Sequence, residues 1–153
     1  MNTSIKSGTL VTAVSTPQYI LQSVLEALNN GEISEAVDQF NDHFTFNDQA
    51  LGLEFTDKER LREFFQKSRE LFPDTVVEVI STFECGDHVI AEWRLTATQT
   101  LSDWIQLQLP VTLPGISIVQ IANGRITQWS DYYDEKTSRR VTLAAAFTDW
   151  IEY

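Results

Sequence analysis

Apolar residues recur along this chain with two periods, and the change from one to the other divides it. Ile20, Leu21, Val24, Leu25 and Leu28 fall at helical spacing. Thr16-Pro17 before them supplies an N-cap and a first helical position, and Asn29-Asn30-Gly31 after them a stop. Ile33, Ala36, Val37 and Phe40 predict a second helix. Phe44, Phe46 and Asp48 alternate with Thr45 and Asn47, as a short strand requires. Thr56-Asp57-Lys58-Glu59 has the form of a capping box, and the third helix it opens carries Leu61, Phe64, Phe65, Leu71 and Phe72 before Pro73 ends it. Beyond Pro73 the period becomes two. Residues 76–83 read as a strand, Gly86-Asp87 as a turn, and Val89, Ala91, Trp93, Leu95 and Ala97 as the apolar face of the next strand. A further strand lies around residues 104–112, with Ile105, Leu107, Leu109 and Val111 on one face and Pro110 demanding an edge or a bulge. Residues 116–121 and 125–133 form a hairpin through Ala122-Asn123-Gly124. Leu143, Phe147, Trp150 and Ile151 predict a C-terminal helix, and residues 1–15 a loose tail.

Helices first and an antiparallel sheet afterwards is an α+β pattern, read here as one domain over residues 1–153. A strongly bent sheet wrapped over the helices leaves an apolar cleft between the layers. Nine Phe, four Trp and four Tyr are enough to build a large core or to line such a cleft. The net charge of −11 repels phosphate backbones and anionic lipid, which argues against nucleic acid and membrane surfaces as partners. Cys85, the one cysteine, excludes an internal disulfide and a thiolate metal cluster. Apolar runs fall far short of the roughly 20 residues of a membrane span, and no export signal is recognisable, so a cytoplasmic location is expected. Without a Gly-rich phosphate loop, a dinucleotide fingerprint or a nucleophile elbow, no cofactor is expected.

The candidate chemistry rests on two carboxylates. Trp129, Asp131 and Tyr133 share one strand face, so an inward orientation puts Asp131 between aromatic rings, where desolvation makes it an acid/base group near neutral pH. The opposite orientation leaves a surface Asp, or one paired with Arg139 or Arg140. Asp48 shares its face with Phe44 and Phe46; it is either a second pocket carboxylate or a turn residue bonded to nearby N–H groups. Trp93 and Trp129 line a pocket or fill the core, and Tyr19 and Tyr133 are candidate phenolic donors. His43 and His88 belong to no metal-spaced cluster.

Two segments carry a resemblance. Leu28-Asn29-Asn30-Gly31-Glu32 with residues 40–48, and Gly115-Ile116-Ser117-Ile118-Val119 with Asn123-Gly124-Arg125-Ile126 and residues 129–134, are similar to the nuclear transport factor 2-like superfamily, above all its SnoaL-like polyketide cyclase and ketosteroid isomerase branches. The resemblance implies a cone-shaped, curved antiparallel sheet over three N-terminal helices, an apolar pocket for a small apolar molecule, and a homodimer through the outer sheet face. It assigns Asp131 the acid/base position of the cyclases and Asp48, followed by Gln49 instead of Pro, the isomerase base. The isomerase's oxyanion-binding Tyr falls on Val24 and its protonated Asp near Ser117, a weaker donor. The Arg and second Asp of the epoxide hydrolases fall on Trp93 and Leu95, or, shifted by one, on Arg94 and Thr96. The implied function is isomerisation, cyclisation or dehydration of an apolar carbonyl compound, with Asp131 and Asp48 catalytic and Trp93, Trp129, Phe46, Tyr133, Ser117 and Tyr19 around the substrate. The alternatives are a non-catalytic dimeric ligand-binding or interaction module and an epoxide hydrolase-like enzyme.

Overall fold

Thr16 accepts a hydrogen bond from the Tyr19 backbone N–H, and Pro17 opens α1 (Pro17–Asn29), which buries Ile20, Leu21, Val24, Leu25 and Ala27. The computed structural model describes residues 16–100 and 108–134. The expected tail (1–15), the C-terminal helix with Leu143, Phe147, Trp150 and Ile151, and the start of the strand at Trp104 lie outside them, as do Arg139 and Arg140. Gly31, at φ 76°, reverses the chain into α2 (Ile33–Asp38). This helix stops before Phe40, which the helical spacing had included. Phe40 instead begins β1 (Phe40–Asp48), where it pairs with Ile126 and stays fully buried, so strand pairing overrides the local period. β2 (Leu53–Phe55) returns antiparallel to β1. α3 (Lys58–Leu71) is capped by Asp57 rather than Thr56, through the Arg60 N–H at 2.9 Å.

β3 (Val76–Cys85), β4 (His88–Thr100), β5 (Gln108–Ala122) and β6 (Arg125–Tyr133) complete a curved, open six-stranded sheet of order β2-β1-β6-β5-β4-β3. It is antiparallel as expected except for β1 and β6, which run parallel. The two strands expected on either side of residue 114 are one, paired with β4 along its whole length. Pro110 and Pro114 are tolerated because β6 pairs with β5 only from Gly115 onwards, which leaves one side of the strand unpaired in the β6 direction there. The inward face of β4 carries Val89, Ala91, Trp93 and Ala97, all buried, beneath α1. α3 packs on β1 and β2. The helices thus cover the concave side but leave room between α1, α3 and β3–β6. Among the described residues no helix is long and apolar enough to cross a membrane.

Candidate functional site

β1 and β6 place Asp48 directly beside Asp131, and both side chains reach the concave side. They share a cavity of about 190 Å³, walled mainly by apolar side chains such as Leu25, Phe65, Val77, Leu95 and Leu113. The pairing joins residues far apart in sequence. It turns two separate strand residues into a carboxylate pair.

Asp131 is held from one side only. Its Oδ1 accepts the Ser117 hydroxyl at 2.5 Å and the Trp129 indole N–H at 2.6 Å. Ser117 Oγ in turn accepts the Trp93 indole N–H at 2.8 Å, which directs the serine proton towards the carboxylate. Oδ2 has no hydrogen-bond partner among the described residues. Burial pushes the Asp131 pKa up to about 7; the bonds from Ser117 and Trp129 oppose that rise, and the adjacent Asp48 charge adds to it.

Asp48, 5% exposed, meets both expectations at once: it is a cavity residue and a turn cap. Its Oδ1 accepts the Leu51 N–H at 2.9 Å and its Oδ2 the Tyr133 hydroxyl at 2.7 Å. Burial raises its pKa, while the bonds from Tyr133, Leu51 and Ala50 work against that. The Tyr133 phenol is pushed upwards by burial and by the two carboxylates, so it stays protonated and acts as a donor. The environments therefore differ: Asp48 takes donors on both oxygens, from Leu51 and Tyr133, whereas Asp131 takes them on Oδ1 alone and has the pKa suited to proton exchange.

Trp93, Trp129, Tyr133 and Ser117 line the cavity as expected. Two expected residues do not. Tyr19 is 61% exposed, because α1 turns Ile20, Leu21 and Val24 inwards and Tyr19 away. Phe46 stands behind the wall, stacked on Trp129 at 6.3 Å between ring centres. The aromatic wall comes instead from Phe64, Phe65 and Phe72 of α3 and the residue after it, whose spacing reads equally well as ordinary core. Val24 is buried in the core and lends no donor. Arg94 is exposed on the convex face, while Trp93 and Leu95 point inwards, so neither register supplies the Arg–Asp pair of an epoxide hydrolase from these positions. His43 and His88 are exposed, and among the described residues no cluster of His, Cys, Asp and Glu could hold a metal.

A family model described as the SnoaL-like domain matches residues 21–129. No curated protein matches the sequence. A protein from Catenulispora acidiphila with a ketosteroid isomerase-like fold, solved with trimethylamine, aligns over 90% of this chain and 99% of its own, at 20% identity and a TM-score of 0.72. The candidate polyketide cyclase IdmH from Streptomyces antibioticus aligns over 82% of this chain and 96% of its own, at 17% identity and a TM-score of 0.72. For a candidate SnoaL-like polyketide cyclase from Shewanella putrefaciens the values are 83%, 85%, 14% and 0.70. Likeness at these identities establishes the fold.

Proposed function

The chain belongs to the SnoaL-like domain family, and from that premise and the geometry of Asp131 we propose a cofactor-independent general acid/base enzyme acting on a small or medium-sized apolar carbonyl compound, by cyclisation, isomerisation or dehydration. One observation carries the reading: a carboxyl group held through Oδ1, its Oδ2 without a partner among the described residues, lines an apolar cavity with a pKa of about 7. Ionised Asp131 takes a proton from the carbon next to the substrate carbonyl onto Oδ2, and the protonated acid returns it to carbon or oxygen. Ser117 and Trp129 fix Oδ1 so that the other oxygen faces the reactants. Asp48 keeps Asp131 basic through its charge. Ser117 and Tyr133 spend their protons on the carboxylates, so neither is spare for an enolate oxygen. Substrates whose enolate is already delocalised, such as 1,3-dicarbonyl compounds, suit such a site best.

Deuterium exchange at the α-carbon of 2-tetralone in D2O, followed by NMR, tests this. Exchange faster than in buffer is expected, rising with pH through a midpoint near 7, because the ionised form is the base. The second reading, a ligand-binding module, draws on the same lack of a spare donor. It takes over where 2-tetralone binds, as judged by tryptophan quenching, but exchanges no faster than in buffer between pH 5 and 9.

The outer sheet face supports a homodimer. Phe83, Ile90 and Ile118 lie opposite one another across β3, β4 and β5, next to Ile116 and Tyr132, and all five are exposed. Light scattering should give twice the chain mass at micromolar concentration. Ile118→Glu should give a folded monomer whose melting temperature is lowered by the lost association and no longer depends on protein concentration. A monomeric parent chain refutes the dimer.

A further inference from the structure

The cavity has a second polar end, remote from the carboxylates. Arg69 of α3 lines it, and its Nη1 donates to the carbonyls of Leu28 (3.3 Å), Asn29 (3.2 Å) and Thr75 (3.5 Å). These bonds fix the guanidinium against the C-terminus of α1. Nε and Nη2 have no acceptor among the described residues, and together they form one of the two edges with which Arg grips a carboxylate. The exposed Asp74 nearby accepts the Thr98 N–H at 3.0 Å and feels the Arg69 charge without a hydrogen bond to the guanidinium.

Most of the other side-chain donors at this end are already used. The Ser68 hydroxyl donates to Phe64 O at 2.9 Å and the Thr75 hydroxyl to Phe72 O at 2.8 Å. The Asn29 amide is paired in both directions with the Val77 backbone. An acceptor group on a ligand therefore finds its charged donors in Arg69, with one N–H of the Asn29 amide beside it. Asp131 lies opposite Ser117, which lies opposite Ala91, whereas Val76, next to Thr75, lies opposite Thr96. Five residues of β4 separate the two levels, about 17 Å along the strand, and inward-reaching side chains leave on the order of 10 Å between the polar ends. Val77, Leu95 and Phe65 line the stretch between them.

We infer that the ligand of this cavity is an amphipathic keto acid: its carboxylate sits on Nε and Nη2 of Arg69, its apolar body spans the cavity, and its carbonyl end meets Asp131. The inference rests on the reading of the cavity as a ligand site and specifies the substrate class. The chain's net charge of −11 opposes anions in general, so an anion preference here is a property of Arg69 and not of the overall field.

The test is calorimetric titration at pH 7 with 6-oxo-6-phenylhexanoate and with its uncharged counterpart 6-hydroxy-1-phenylhexan-1-one. The acid should bind at least tenfold more tightly than the alcohol. Arg69→Gln should remove that difference while leaving alcohol affinity in place, and Arg69→Lys, which keeps the charge without the planar fork, should retain part of it. Melting curves of both variants separate lost recognition from lost folding. Equal affinities in the parent chain, including no binding of either probe, overturn the inference, as does a preference that survives Arg69→Gln. Asp131→Asn should keep the preference for the acid, so failure of the acid/base chemistry and failure of the anion site give different results.

Discussion

Asp131→Asn is expected to lower α-carbon exchange of a bound ketone by a factor of about 10²–10⁴, the usual worth of a positioned acid/base group. The substitution keeps the side-chain shape, and the amide oxygen still accepts from Ser117 and Trp129. What disappears is the titrating oxygen. Stability should move the other way. The folded-state pKa of about 7 lies above the ordinary aspartate value of 3.8, so burial favours the neutral form. That contribution is complete below pH 4 and is lost as pH rises through 7. The parent chain should therefore lose stability between pH 4 and pH 8, by about 2–4 kcal/mol at about 1.4 kcal/mol per unit, discounted for partial solvent access. The Asn variant should not follow this loss, and its melting temperature should overtake that of the parent on the alkaline side. Exchange at the parent rate in Asp131→Asn, or melting curves that run parallel with pH, would show that Asp131 is neither the base nor a desolvated acid. The same ionisation that activates the site thus weakens the fold, a trade common where function needs a group in an unfavourable place.

Local chemistry left clear marks in the sequence. The cap of α1, the alternation of β4 and the Asn123-Gly124 turn of the final hairpin depend on neighbours in the chain, and they fall where the pattern puts them. That Trp129, Asp131 and Tyr133 share a face was legible for the same reason, since period two fixes which residues share a side but not whether that side turns inwards. It does not fix what that side meets. The neighbour of Asp131 is Asp48 because β1 and β6 pair in parallel, a long-range choice with no local signature. Phe46 and Phe65 are both apolar residues on inward faces. Phe65 lies between Phe46 and the cavity, so that Phe65 is lining and Phe46 backing, with the rings edge-on at 5.4 Å. Arg69 carries no signal of its own in the sequence, because an Arg near the end of a charged helix reads as solvated, and only the C-terminus of α1 packed against it shows where it is held.

Gly115→Ala tests whether the indole of Trp93 is fixed as the site requires. The two residues are register partners, and the ring lies flat against the glycine; an added Cβ would stand 2.2, 2.4 and 2.6 Å from three atoms of the six-membered ring. No real Cβ contact is that short, so either the ring or the strand must move. The ring has little freedom: it is 5% exposed, tied to Ser117 through its N–H and packed beside Tyr133 at 6.3 Å. The backbone itself raises no objection, since Gly115 is not among the glycines with positive φ; alanine there would on conformational grounds stabilise by about 0.4–1 kcal/mol. The expected net effect is a loss of about 2–4 kcal/mol, combining overpacking with the broken Trp93–Ser117 bond, or roughly 4–16 °C in melting temperature. Activity should fall as well, because a serine without its indole donor no longer holds its proton on Asp131. Removing the obstructing ring atoms should remove most of the cost: in a Trp93→Phe background the same Gly115→Ala change should cost less than about 0.5 kcal/mol, a strong departure from additivity. Additive effects in that double-mutant cycle, or a neutral Gly115→Ala in the parent chain, would mean that Trp93 is free to shift and does not set the geometry of Ser117 and Asp131.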